Sequence, residues 1–181
     1  MLLGNKVAPG YHRLMAACPT CPDLPAVSRP RDAWGCPTGG VVLVSACLAG
    51  LFTRYDSRDA FNEDLMQRLS GVRWIPVCPE EAGGLPSPRP PAEMVGGDGH
   101  AVLRGRAKVM AAGGADVTLA FIAGAHAVLD VARRLQARAC YLKSRSPSCG
   151  LRPSHGPAGR LGGIGVCAAL LVEQGLRVIE V

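Results

Sequence analysis

Val41-Val42-Leu43-Val44-Ser45-Ala46-Cys47-Leu48-Ala49-Gly50 is the stretch from which the fold can be read. Its first four residues are apolar and mostly β-branched, with no polar interruption. That is the pattern of a short strand buried in a sheet. The glycine-bearing loop Cys47-Leu48-Ala49-Gly50 follows at once. It is not a phosphate-binding glycine loop, since it lacks the required glycine spacing.

On the N-terminal side the texture differs. Five prolines fall between Pro9 and Pro30, with another at Pro37, and no helical or strand period persists. Residues 1–40 therefore read as a poorly ordered extension, and 41–181 as one domain. On the C-terminal side the alternation is regular. A helix is expected over 58–69, with Phe61, Leu65 and Leu69 on one face and Gly71 ending it. A second strand is expected over 72–77, then a long Pro/Gly loop over 78–91. A hairpin around Gly96-Gly97-Asp98-Gly99 is expected within 92–110. Asp116 is placed to cap a helix reaching to about Ala137, with Arg133, Arg134 and Arg138 at the negative end of its dipole. A third strand over 139–142, a loop over 144–162, a helix over 165–174 and a last strand over 176–181 complete the chain. Strands alternating with helices predict an α/β fold: one Rossmann-like domain with a mostly parallel sheet covered by helices.

Composition narrows the function. Hydrophobic residues are 48% and charged residues 19%, so the chain can fill a core. No apolar run is long enough for a membrane span, and the first residues lack the apolar centre of an export signal. A cytoplasmic location is the expectation. Net charge is +6, and 101–160 hold ten Arg and Lys against two acids. The bias allows RNA as a partner but does not favour it, because the basic residues form no single run and aromatics are only 4%.

Eight cysteines without an export signal argue for metal or catalytic use rather than a disulfide framework. Cys47 follows the first expected strand, Cys78 the second, and Cys149 lies in the loop after the third. The carboxyl ends of parallel strands gather around one crevice, so three distant thiols converge there. They suit either zinc with one open position or an iron–sulfur cluster with one iron free of cysteine. Cys140 and Cys167 sit among apolar neighbours and read as core residues. Cys18 and Cys21 have zinc-knuckle spacing, with Cys36 or His12 in reach, but no folded turn around them.

Polar groups cluster beside the three thiols. Glu80 shares a loop with Cys78 and is the candidate general base. Asp56 is a second candidate, with capping before Arg58 as its structural alternative. Ser144, Ser146 and Ser148 precede Cys149, and Lys143 precedes them. Arg89 and Glu93, flanking Pro90-Pro91, are expected to pair and brace the long loop.

Several ordered segments carry a resemblance. They are Val44-Ser45-Ala46-Cys47-Leu48-Ala49-Gly50, Arg54-Tyr55-Asp56, Cys78-Pro79-Glu80, the run from Gly83 to Glu93, Asp116-Val117-Thr118, and Lys143-Ser144-Arg145-Ser146-Pro147-Ser148-Cys149-Gly150. Together they resemble the thiouracil desulfidase family from about Val41 to Val181. The resemblance implies a [4Fe–4S] cluster on Cys47, Cys78 and Cys149, and thiolated nucleobases as substrates with hydrogen sulfide released. Two departures stand out. Thr53 takes a position where many members carry cysteine, and 152–160 lack the usual Tyr-Asp-Gly turn. The chemistry expected is a non-redox hydrolysis, with Glu80 activating water, Ser146 and Asp56 managing protons, and Lys143, Ser144 and Ser148 orienting the base. The alternatives are sulfur transfer to tRNA and a non-enzymatic zinc-binding module. A monomer and a homodimer are both compatible with the sequence.

Overall fold

The computed structural model describes residues 40–152, 154–155 and 161–181. The extension expected over 1–40, with Cys18, Cys21 and Cys36, lies outside these apart from Gly40. So does most of the divergent 152–160 segment.

In chain order the elements are β1 (Val41–Ser45), a 3₁₀ turn (Ala46–Ala49), α1 (Glu63–Arg68), β2 (Arg73–Val77), α2 (Pro79–Ala82), β3 (Ala92–Val95) and α3 (Gly99–Leu103). There follow β4 (Lys108–Ala111), α4 (Thr118–Arg134), β5 (Ala139–Leu142), β6 (Ser154–His155), β7 (Leu161–Gly162), α5 (Val166–Glu173) and β8 (Val178–Glu180). The main sheet has four parallel strands in the order β2-β1-β5-β8. This is the α/β architecture the alternation predicts. β1 and β5 are its buried centre, which is why both read as unbroken apolar runs. Pro76 lies in β2, an edge strand, where a missing backbone donor is tolerated.

Side chains alternate across the sheet with the strand period of two. Leu43, Cys140 and Leu142 face a core built with Phe121, Ala125 and Val128 of α4 and Cys167 and Leu171 of α5. Val42, Val44 and Tyr141 face a smaller core with Leu48, Leu65 and Leu69. Both faces are covered, one by α4 and α5 and the other chiefly by α1. No helix among the described residues is long and apolar enough to cross a membrane.

Five expectations need correction. Asp116 does not cap the long helix, whose N-cap is Val117 with no side-chain cap, and the stretch expected as loop over 144–162 carries the paired two-residue strands β6 and β7. The first helix begins at Glu63, not near 58, because the Asn62 side chain accepts from Leu65 N and fixes the start there. Phe61 is consequently outside the helix and exposed. The hairpin over 92–110 exists as β3–β4, but α3 fills its connection, capped by Asp98 through Ala101 N. The loop after β2 opens with the short helix α2, started by Pro79 at its first position.

Candidate metal centre and active site

β1 lies where the strand order reverses, with β2 on one side and β5 on the other. Ligand crevices form at such points, beyond the carboxyl ends of the strands. Cys47 is in the 3₁₀ turn after β1, Cys78 directly follows β2, and Cys149 is in the loop after β5. All three line one cavity of about 470 Å³. Cys140 and Cys167 are fully buried in the core and do not line it.

Each thiol is set by local backbone. Gly50 closes the turn of Cys47 with a left-handed φ of 89°, a conformation glycine takes without strain. Cys47 O accepts from Ala60 N at 2.9 Å, tying the turn to the following loop. The loop of Cys149 is seated on the start of α5. Pro147 O accepts from Val166 N, and Ser148 O accepts from Cys167 N and Ala168 N. These carbonyls satisfy the free N–H groups that Gly165, with no side chain, cannot cap. A β-carbon on Gly165 would collide with the Ser148 backbone, so the close approach requires glycine.

Hydroxyl groups complete this loop. Ser45 Oγ accepts from Lys143 N at 3.0 Å and donates to Cys149 Sγ at 3.6 Å. Ser45 is buried, and its position at the end of an apolar strand is the signal that sequence reading passed over. Ser146 Oγ accepts from Ser148 N and Cys149 N, both at 3.1 Å. It lines the cavity, and its hydroxyl proton is left to donate. Lys143 and Ser144 also line the cavity, with Lys143 Nζ 3.1 Å from Ser144 O.

The acids sort differently from expectation. Glu80 lines the cavity, and its Oε2 takes a 2.7 Å bond from Arg89 Nε. Arg89 was expected to pair with Glu93; instead its guanidinium serves Glu80, Pro86 O, Ser87 Oγ and Thr53 O. Glu93 lines the cavity as well, and its Oε2 is buried with no hydrogen-bond partner. Asp56 is not on the cavity wall. Its carboxylate pairs with Arg54 at 3.1 Å and accepts from Arg58 N, which is the turn-capping alternative. Ser148 is likewise absent from the wall, being fully buried behind it.

The family model for 2-thiouracil desulfurase matches residues 42–181. The chain belongs to this family. It is 40% identical over 143 residues to the uncharacterized protein YbbK of Bacillus subtilis (strain 168), covering 77% of this chain and 95% of YbbK. A solved structure of the [4Fe-4S]-dependent thiouracil desulfidase TudS superposes with a TM-score of 0.66 at 35% identity, covering 78% of this chain and 90% of that one.

The chemistry of the site depends on what its thiols can hold. Among the described residues, no three His, Cys, Asp or Glu side chains are close enough to share a single metal ion. The three thiols line one cavity at three strand ends, and soft thiolates are the ligands an iron–sulfur cluster takes. Among the described residues, the donors are soft sulfurs with no histidine, and no fourth cysteine lines the cavity. Thr53 is on the wall. Burial pushes the thiols up: Cys149 to about 12, with Cys47 and Cys78 raised in the same direction. The Ser45 hydroxyl opposes this at Cys149, as the Glu81 N–H does at Cys78. Without metal the thiols are therefore protonated at neutral pH, and iron must displace those protons to bind.

Proposed function

We propose that the protein hydrolyses the C–S bond of thiolated nucleobases such as thiouracil, with a [4Fe–4S] cluster held by Cys47, Cys78 and Cys149. The observation that carries this reading is the meeting of three strand-end thiols and the Glu80 carboxylate on one cavity. Membership of the 2-thiouracil desulfurase family supports it.

When bound, the cluster supplies a Lewis-acidic iron without a cysteine ligand to polarise the thiocarbonyl. The remaining work belongs to side chains. Arg89 fixes Glu80 through Oε2, leaving Oε1 to take a proton from water as it attacks the thiocarbonyl carbon. The C–S bond breaks, the carbon becomes a carbonyl, and both protons of the water end on sulfur as hydrogen sulfide. Ser146 donates its one free proton toward the base, while its oxygen holds the Cys149 loop. Lys143 and Ser144 orient the base from the same wall. Asp56 acts indirectly, by holding Arg54 on the rim.

The test is anaerobic purification, iron and sulfide analysis, and an assay of sulfide release from 2-thiouracil and 4-thiouracil. A brown protein that releases sulfide without ATP supports the reading. A colourless zinc protein would favour the binding-module alternative, and ATP-dependent sulfur transfer to RNA the other.

A further inference from the structure

Glu93 Oε2 is buried without a hydrogen-bond partner on the wall of the cavity. Buried polar atoms are rarely left unpaired, and each exception needs a physical explanation. A carboxylate oxygen stripped of water is costly unless a donor meets it. Three cationic side chains that line the same cavity are engaged elsewhere. Arg89 spends its guanidinium on Glu80, Pro86 O, Ser87 Oγ and Thr53 O. Lys143 Nζ is turned to Ser144, and Arg54 to Asp56 and the Asp59 carbonyl. Glu93 itself is fixed by its strand, where β3 pairs with β4 at Glu93 and Met110.

An ionised carboxylate can only accept. A ligand that enters the cavity can bring the missing donor. In a thiolated pyrimidine such as 4-thiouracil, a ring N–H sits next to the thiocarbonyl carbon. We infer that Glu93 is the specificity-determining residue that accepts this N–H. The inference rests on the desulfidase reading. It divides the two carboxylates of the cavity between two tasks: Glu80, held by Arg89, serves water, and Glu93, whose Oε2 has no partner, serves the base. It also defines the substrate class, a thiocarbonyl flanked by an unsubstituted ring N–H.

The test compares 4-thiouracil with 3-methyl-4-thiouracil, which carries a methyl group on that nitrogen, using cluster-replete wild type, Glu93→Gln and Glu93→Ala. One charge-assisted hydrogen bond corresponds to about 10- to 100-fold, so wild type should favour the N–H base by that factor in kcat/KM. The loss should fall mainly on KM, since the contact is present before and during the reaction. The preference should shrink in Glu93→Gln and disappear in Glu93→Ala. Calorimetric titration with the products, uracil and 3-methyluracil, should show the same preference and its loss without any turnover. The ligand-free melting temperature of Glu93→Gln should not fall. Undiminished selectivity in Glu93→Ala while wild type releases sulfide would overturn the inference and leave the desulfidase reading standing. A lower melting temperature with unchanged selectivity would make Glu93 a structural residue. No sulfide from either base with wild type would remove both readings.

Discussion

Arg89 Nε and Glu80 Oε2 are 2.7 Å apart, and the arginine side chain is only 5% exposed. The two residues are separated by a proline-rich loop, yet the arginine is as buried as a core residue. Its other nitrogens anchor that loop at Pro86 O and Ser87 Oγ and reach Thr53 O. The pair works as a positioning unit for one carboxylate on the cavity wall.

Glu80→Gln should therefore reduce turnover by about 10²–10⁴-fold with cluster content intact. Arg89→Lys keeps the charge but loses the planar fork, so it should also reduce kcat. Because both act through the same carboxylate, the double variant should be scarcely worse than Glu80→Gln alone. Additive losses would separate their roles. Glu81→Gln should be nearly silent, since Glu81 bonds Ser87 Oγ at the surface.

Replacement of Cys47, Cys78 or Cys149 by Ala should abolish brown colour and sulfide release in each case. Cys140→Ala and Cys167→Ala should keep both, at a cost only in stability, because these thiols fill the core rather than the cavity. Iron and acid-labile sulfide analysis of the five purified variants gives the readout. A cluster-loaded Cys149→Ala protein would dismiss the proposed ligand set.

Gly124 of α4 abuts α2 so closely that a β-carbon there would run into the Pro79 carbonyl oxygen. The obstacle is backbone, so Gly124→Ala must push α2 away. Overpacking of this kind costs about 1–3 kcal/mol. Since α2 carries Glu80 and starts beside Cys78, the variant should lose turnover as well as melting temperature. Gly113→Ala, where no atom lies within contact range but φ is +96°, should lose stability alone.

Asp116 accepts from Thr118 N and Thr118 Oγ1 and pairs with Lys108, and the Thr118 bonds are the main reason its carboxyl falls from 3.8 to about 2. A carboxyl depressed on folding stabilises the protein above its unfolded value and loses that contribution as pH falls through the folded one. Relative to Asp116→Ala, wild type should be more stable at neutral pH. The gap should close between pH 3.8 and about 2. Urea midpoints measured stepwise through that range test this; a gap independent of pH would show that the charge contributes nothing.

The run Val41–Val44 announces a central strand because burial on both faces leaves no place for a polar residue. The three cysteines at strand ends were legible for a related reason: parallel strands deliver their carboxyl ends to one side of the sheet whatever the loops do. Periodicity speaks only of which face is buried, however, and not of which partner a polar group finds. Arg89 could be paired on paper with Glu93, four residues away, and the fold gives it to Glu80 instead. Asp56 and Ser148 sit beside the right motifs, but one is turned to Arg54 and the other into the core. Ser45 reaches Cys149 across 104 residues. Such choices are made by distances between chain segments that meet only on folding. The sequence by itself determined the sheet and the convergence of the thiols; tertiary structure decided which carboxylate is held and which is left free, because side-chain hydrogen bonds depend on ångström-scale placement that no local pattern encodes.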